Sequence, residues 1–114
     1  MNAEISLEKD WKLFRKKLKV WQENYIENLT REYISILSGE GDASEKFWKL
    51  DRHIKNDKKK AGVIVRDMRR SKMPLIIIQL LNEKVITKKD LEEFSDGLRE
   101  QLEFMYNLIF HENE

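Results

Sequence analysis

The chain of 114 residues contains no cysteine, only one proline and only four glycines. The lack of cysteine excludes a disulfide framework, thiolate chemistry and a cysteine-based metal site, and a reducing cytoplasm is the compartment we expect. The scarcity of glycine and proline favours long helices over a β-fold with many turns.

Long hydrophobic runs are also missing. The longest one, residues 73–81, covers nine positions, whereas a transmembrane helix needs about 20. The first residues, MNAEISLEKDW, show no basic start followed by an apolar run, so we expect no signal peptide. Together these absences predict a cytoplasmic protein without a membrane span.

A single periodic stretch covers residues 6–38. Its large apolar residues recur every three or four positions, which places them on one stripe of an α-helix. They are Leu7, Trp11, Phe14, Leu18, Trp21, Tyr25, Leu29, Tyr33 and Leu37. Ser6 is a suitable N-cap, and Gly39 and Gly41 favour a helix end. We predict one helix of about 48 Å, around which the other elements are organised.

A second helix follows the SGEGDAS loop. We expect it to begin at Asp42 or Ser44 and to continue to Lys60, with Gly62 just beyond its end. Its predicted apolar stripe contains Phe47, Leu50, Ile54 and Ala61, with Trp48 at the edge.

The remaining segments also favour helices. Residues 63–72 contain three β-branched residues, but no second strand-like run could pair with them, so we interpret them as a short helix, with an irregular connection as the alternative. Residues 74–81 are apolar on nearly every side and should form the most buried helix. Thr87, with Asp90 three residues later, predicts the cap of a last helix that continues to the C-terminus. The expected fold is an all-α single-domain bundle of four to five helices over residues 1–114, with one long N-terminal helix.

Three stretches carry a resemblance to known proteins. They are LSGEGDASEKFWKLDRHIKNDKK, MRRSKM and IIIQLLNEKVITKKDLEEFSDGLRE. Together they resemble a family of small uncharacterised helical proteins of Gram-positive bacteria, some of which are labelled multidrug transporters. The resemblance implies a helical fold and no particular mechanism. The transporter label conflicts with a sequence that offers no membrane span.

The segment LLNEKVITKKDLEEF also resembles the helix–turn–helix hairpin of short C-terminal modules that are thought to mediate oligomerisation. Those modules usually have glycine in the turn, where this chain has Lys84 or Val85. The resemblance concerns a hairpin and assigns no role.

Charge is distributed unevenly along the chain. Residues 46–72 contain eleven Lys and Arg against three Asp, a balance of +8, while residues 83–114 contain nine acids against four bases, a balance of −5. A dense group of cations suits a phosphate backbone, because release of counterions favours binding. The residues that we expect to contact nucleic acid in that case are Lys55, Lys58, Lys59, Lys60, Arg66, Arg69 and Arg70. The alternative is a solvated or self-complementary surface, since the whole-chain pI is near 7.9.

The first half of the long helix predicts self-association. Trp11, Phe14, Leu18 and Trp21 follow heptad steps, which are typical of a coiled-coil-like seam. Aromatic residues on such a stripe are usually core residues, but a long helix with short partners can leave part of its stripe uncovered for a second copy.

The motifs of an enzyme are absent from the sequence. His53 and His111 are isolated, and no serine lies in a nucleophile-elbow context. Asp96 with Glu92 or Glu100 could hold a cation, but carboxylates at helical spacing usually face solvent. We therefore expect no catalytic residue, metal or other cofactor. The favoured function is a non-enzymatic, self-associating module for protein–protein interaction, and the alternative is a nucleic-acid-binding protein that uses the basic tract 46–72.

Overall fold

The long N-terminal helix α1, Ala3–Ser38, determines the length of the molecule. A computed structural model describes residues 3–110, with the side chains of residues 7–110. The 36 residues of α1 give a helix of about 54 Å, and the longest dimension of the fold is 61 Å. Because α1 begins at Ala3, Ser6 lies inside the helix and is not its N-cap. The helix ends at Ser38, and Gly41 adopts a φ of 126° in the loop that follows.

Three further α-helices complete the bundle: α2 (Ala43–Asp57), α3 (Met73–Asn82) and α4 (Asp96–Phe110). Single-turn 3₁₀ helices occupy Arg70–Lys72 and Lys88–Leu91, and residues 3–110 contain no strand. The predicted all-α fold with one long N-terminal helix is therefore confirmed. Helix α2 packs on α1, and α3 packs on α4. None of the helices between residues 3 and 110 has the length and hydropathy needed to cross a membrane.

The hydrophobic core lies between the N-terminal half of α1, α3 and the start of α4. Helix α3 contributes Met73, Ile76, Ile77, Ile78 and Leu80, all of them buried, as the apolar composition of residues 74–81 predicts. Ile86, Leu91, Phe94, Leu98 and Leu102 complete the core from the C-terminal segment. Burying so many large apolar side chains, each worth about 1.5–3 kcal/mol, is the main stabilising contribution.

The C-terminal half of α1 and helix α2 form a hairpin that extends away from this core. Leu29 is buried there, and Leu50 and Ile54 of α2 are half-buried. Phe47, which the sequence places on the apolar stripe, is instead exposed. The hairpin has only two helices at this end, so no third element covers Phe47.

The predicted short helix over residues 63–72 is wrong. This segment is an irregular connection except for the turn at Arg70–Lys72. The backbone just before it is held by hydrogen bonds to side chains of α1 and of the turn after α3. The Glu83 carboxylate accepts hydrogen bonds from the backbone N–H groups of Ala61 and Gly62, both at 3.1 Å. Gln22 Nε2 donates to the Ala61 carbonyl at 2.9 Å. Helix α2 accordingly ends at Asp57 and not at Lys60.

The last helix also differs from the prediction. Thr87 and Asp90 form the predicted capping box, with Thr87 N donating to Asp90 Oδ2 at 2.7 Å. That box begins only the 3₁₀ turn Lys88–Leu91, and α4 starts at Asp96. The new start is made by Ser95, whose Oγ accepts a hydrogen bond from Leu98 N at 3.2 Å. Buried Asp10 of α1 accepts hydrogen bonds from Ser95 N at 2.9 Å and Ser95 Oγ at 2.6 Å.

Candidate functional site

The four residues that the sequence suggests for self-association are core residues. Trp11, Phe14, Leu18 and Trp21 are at most 9% exposed. The Phe14 ring lies 6.0 Å from Trp11 and 6.4 Å from Trp21 between ring centroids, and Trp21 contacts Phe94 at 6.5 Å. We correct that assignment: the heptad spacing reflects packing within the chain, and these side chains offer no surface to a second copy.

The basic tract is partly neutralised by its own neighbours. Among the seven residues predicted to contact nucleic acid, four form ion pairs: Lys55 with Asp51, Lys60 with Asp57, Arg69 with Asp67 and Arg70 with Glu8. The Arg70 guanidinium, through its hydrogen bonds, holds the pKa of the Glu8 carboxyl below its usual value. Lys58, Lys59 and Arg66 are exposed. These three have no ion-pair partner among the residues whose side chains are described.

One exposed face combines an aromatic ring with cations on α2. Trp48, Arg52 and Lys55 are spaced by four and three residues, so they share one side of the helix. Trp48 is two positions before Leu50, which is half-buried, and therefore points to the opposite side of α2. Its side chain is 56% exposed, and its ring meets Phe47 edge-on at 5.0 Å between centroids. We call Trp48, Arg52 and Lys55 the basic α2 face.

A second exposed face combines apolar residues with a carboxylate on α4. Glu100, Phe104 and Leu108 are each four residues apart and share one side of the helix. Glu100 and Phe104 lie two positions before and after buried Leu102, so this side points away from the core. Phe104 is 68% exposed and Leu108 is 52% exposed. We call Glu100, Phe104 and Leu108 the acidic α4 face.

The two faces are not joined within one chain. The ion pairs of the described side chains connect α1 with the segments at Arg70 and Glu93, or lie within one local segment, and none links α2 to α4. The sequence indicates this charge asymmetry but not the exposed aromatic residues. Spacing alone placed Phe47 inside and Trp48 at the edge, and it left Phe104 unmarked.

The buried polar groups have structural roles. Asp57 accepts a hydrogen bond from the Tyr33 hydroxyl at 2.5 Å and an ion pair from Lys60 at 3.2 Å. Burial, followed by the hydrogen bond to Asp57, raises the pKa of Tyr33 above its usual value. Asp57 thereby ties the end of α2 to α1, as Asp10 ties the start of α4 to α1.

The groups considered for metal binding are dispersed. His53 is exposed on α2, and His111 lies outside the described residues. Asp96 pairs with Arg99, and Glu92 and Glu100 are exposed. Over residues 7–110, no cluster of three or more His, Asp or Glu side chains could hold a metal ion.

Comparisons of the chain with protein families, with curated proteins and with solved structures each found no match. The geometry of the two exposed faces is therefore the basis on which we infer a function.

Proposed function

We propose that this chain is a non-enzymatic protein–protein interaction module that self-associates, with the basic α2 face of one copy on the acidic α4 face of another. The observation that carries this proposal is that Trp48 and Phe104 are exposed on helices of opposite charge. Large exposed apolar side chains beside charged residues mark association surfaces.

The charges of the two faces favour this pairing over like-with-like contact. Arg52 and Lys55 would approach Glu100 of the second copy, while Trp48 would contact Phe104 and Leu108. Complementary charges steer association and fix the register, and buried aromatic residues supply much of the affinity. In a twofold dimer the contact occurs twice, so two small surfaces contribute to one interface.

The test is light scattering on a sizing column over a range of protein concentrations. We expect the wild type to form an oligomer that dissociates on dilution, and Trp48→Glu and Phe104→Lys to remain monomeric with unchanged helicity. Val20→Glu is the matched control, because Val20 is 58% exposed but lies on neither face. A wild type that is monomeric at the highest soluble concentration would overturn the proposal.

Charge reversal identifies the pairing. Arg52→Glu and Glu100→Arg should each weaken association, because each places like charges opposite one another. Mixing the two variants, or combining them in one chain, should restore it. Failure of that rescue would assign self-association to other surfaces.

Nucleic-acid binding is the second candidate, and it is supported by the exposed, unpaired cations Lys58, Lys59 and Arg66. The test is fluorescence anisotropy with a mixed-sequence oligonucleotide at several salt concentrations. Binding should weaken steeply with salt and be lost in the triple substitution of these residues by Gln. Absence of binding at low salt would exclude this candidate.

A further inference from the structure

A groove on the side of α3 has a wall of cations and a floor of apolar side chains. It lies between the connection that follows α2 and the first turns of α3, and its volume is about 430 Å³. Lys59, Arg66 and Lys72 are its cationic lining residues, here called the wall, and Ile64, Leu75 and Ile76 are apolar lining residues, here called the floor. This volume falls within the range of about 300–1,000 Å³ that is usual for small-molecule sites.

The positive charge of the groove is only partly compensated from within, since Asp67 is the one carboxylate of residues 7–110 that lines it and also attracts Lys72. Lys59, Arg66 and Lys72 have no ion-pair partner among the described side chains. The two oxygens of Asp67 accept hydrogen bonds from Arg69 Nε and Nη2, both at 2.6 Å. Three cations therefore face one carboxylate that another arginine already neutralises, which leaves an attractive field for an anion.

The floor of the groove is apolar surface that the chain leaves uncovered. Ile64 and Leu75 are 45% and 46% exposed, whereas Ile76 beneath them belongs to the core. The backbone beside the groove is held in place before any ligand arrives, because the Glu83 carboxylate binds the N–H groups of Ala61 and Gly62. A preformed site of this kind loses less conformational entropy on binding.

We propose that this groove is a binding site for a small amphipathic anion, which carries a phosphate or carboxylate group on an apolar body. The anionic group lies against Lys59, Arg66 and Lys72, where hydrogen bonds to the charged donors hold it. The apolar body covers Ile64 and Leu75. An ion without an apolar body would leave the floor exposed, and a neutral chain would leave the cations unpaired.

The experiment is a titration of the isotopically labelled protein with n-octyl phosphate below its micelle concentration, followed by amide chemical shifts. We expect saturable shifts confined to residues 59–67 and 72–79. Inorganic phosphate lacks the apolar body and n-octanol lacks the charged group, so each should bind at least about tenfold more weakly than n-octyl phosphate. Octanoate tests the carboxylate form and should shift the same amides.

Adjacent lysines provide the matched variants. Lys59→Gln, Arg66→Gln and Lys72→Gln should each weaken binding of n-octyl phosphate several-fold, whereas Lys58→Gln should leave it unchanged, since Lys58 is exposed but does not line the groove. Leu75→Glu places a carboxylate on the floor of the groove and should abolish binding with little effect on folding.

Three results would overturn the proposal. They are equal affinity for n-octyl phosphate and n-octanol, shifts centred on the α1–α2 hairpin instead of the groove, and equal effects of the Lys58 and Lys59 substitutions. The proposal is independent of self-association, because the Trp48→Glu variant should bind n-octyl phosphate with unchanged affinity.

Discussion

At the scale of single residues, Lys84 holds the backbone conformation that ends α3. Its φ is 62°, in the left-handed region that glycine adopts without strain. Lys84 N donates to the Leu81 carbonyl at 3.1 Å and Val85 N to the Leu80 carbonyl at 2.9 Å. This is the hydrogen-bond pattern of a Schellman motif, in which glycine is the usual residue at the position of Lys84.

Lys84→Gly should therefore stabilise the protein. The left-handed conformation costs a residue with a side chain about 1–2 kcal/mol, and glycine avoids this cost. Part of the gain is offset, because glycine also increases the conformational entropy of the unfolded chain. We expect a net gain of about 0.5–1 kcal/mol in the free energy of unfolding, measured by urea denaturation. Lys84→Ala is the control, because it removes the same charge and keeps the Cβ atom. An equal gain from both variants would attribute the effect to charge.

Gly62 is required for a different reason, which is close packing. A Cβ atom there would lie 2.5 Å from Tyr25 Cδ2 and 2.6 Å from Val85 Cγ2. Both distances are far below van der Waals contact, and the glycine is buried. Gly62 thus allows the connection after α2 to pass between α1 and the end of α3.

Gly62→Ala should destabilise the protein by about 1–3 kcal/mol, the usual cost of overpacking. Gly97→Ala is the matched control, since a Cβ atom at Gly97 meets nothing within 4 Å. That control should gain up to about 1 kcal/mol from helix propensity. Thermal unfolding of the two variants gives the comparison, and loss of stability in both would show that space at Gly62 is not the cause.

At the scale of elements, the start of α4 depends on a contact between distant parts of the chain. Asp10 and Ser95 are 85 residues apart, and Asp10 accepts two hydrogen bonds from Ser95. The same serine caps α4 through Leu98 N. The pair therefore sets both the first residue of α4 and its position against α1.

Removal of either partner should cost about 1–3 kcal/mol, because a cap is lost or a buried polar group is left without a partner. Asp10→Ala and Ser95→Ala should be strongly non-additive, with the double variant little less stable than the worse single one. Urea denaturation of the four proteins in this cycle measures the coupling. Additive losses would mean that the two side chains stabilise the fold independently.

Contacts of this kind separate the elements that the sequence predicts correctly from those that it does not. The three-four spacing of α1 and the apolar run of α3 are local signals, and both helices form as expected. The capping box at Thr87 is local as well and forms, yet the helix that it begins lasts one turn. Its interruption before Ser95 depends on Asp10, which no local pattern reveals. The irregular residues 63–72 likewise follow from Glu83, which binds the backbone of Ala61 and Gly62.

For the candidate binding residues too, the sequence shows local features but not contacts between distant residues. The excess of cations over residues 46–72 is evident in the sequence, but their pairing is not. Arg70 pairs with Glu8, 62 residues away, whereas Arg66 has no such partner among the described side chains. Helical spacing cannot show which side of an amphipathic helix finds a covering neighbour, and so it misplaces Phe47.

At the scale of the whole molecule, α1 belongs to two regions that differ in burial. Its first half is embedded in the core through Phe14 and Leu18, whereas near its end Tyr33 bonds to Asp57, the last residue of α2. Ile34 is 63% exposed near the hairpin end, where the rest of the bundle provides no cover. Protection from hydrogen exchange should follow this difference, since regions with few buried contacts open locally without global unfolding.

Native-state hydrogen exchange should therefore give a graded result along α1. Amides of residues 14–21 and of α3 should exchange only through global unfolding, with one common free energy. Amides of residues 33–37 and 46–50 should exchange through a smaller opening that depends less on urea, because it exposes less surface.

Amides around Trp48 should become more protected as protein concentration rises, because the proposed oligomer covers that side chain. The Trp48→Glu variant should lose this dependence. Uniform protection along α1 at all concentrations would show that the hairpin and the core unfold as one unit. The hairpin would then not differ from the stable core as an end of the molecule that is available for association.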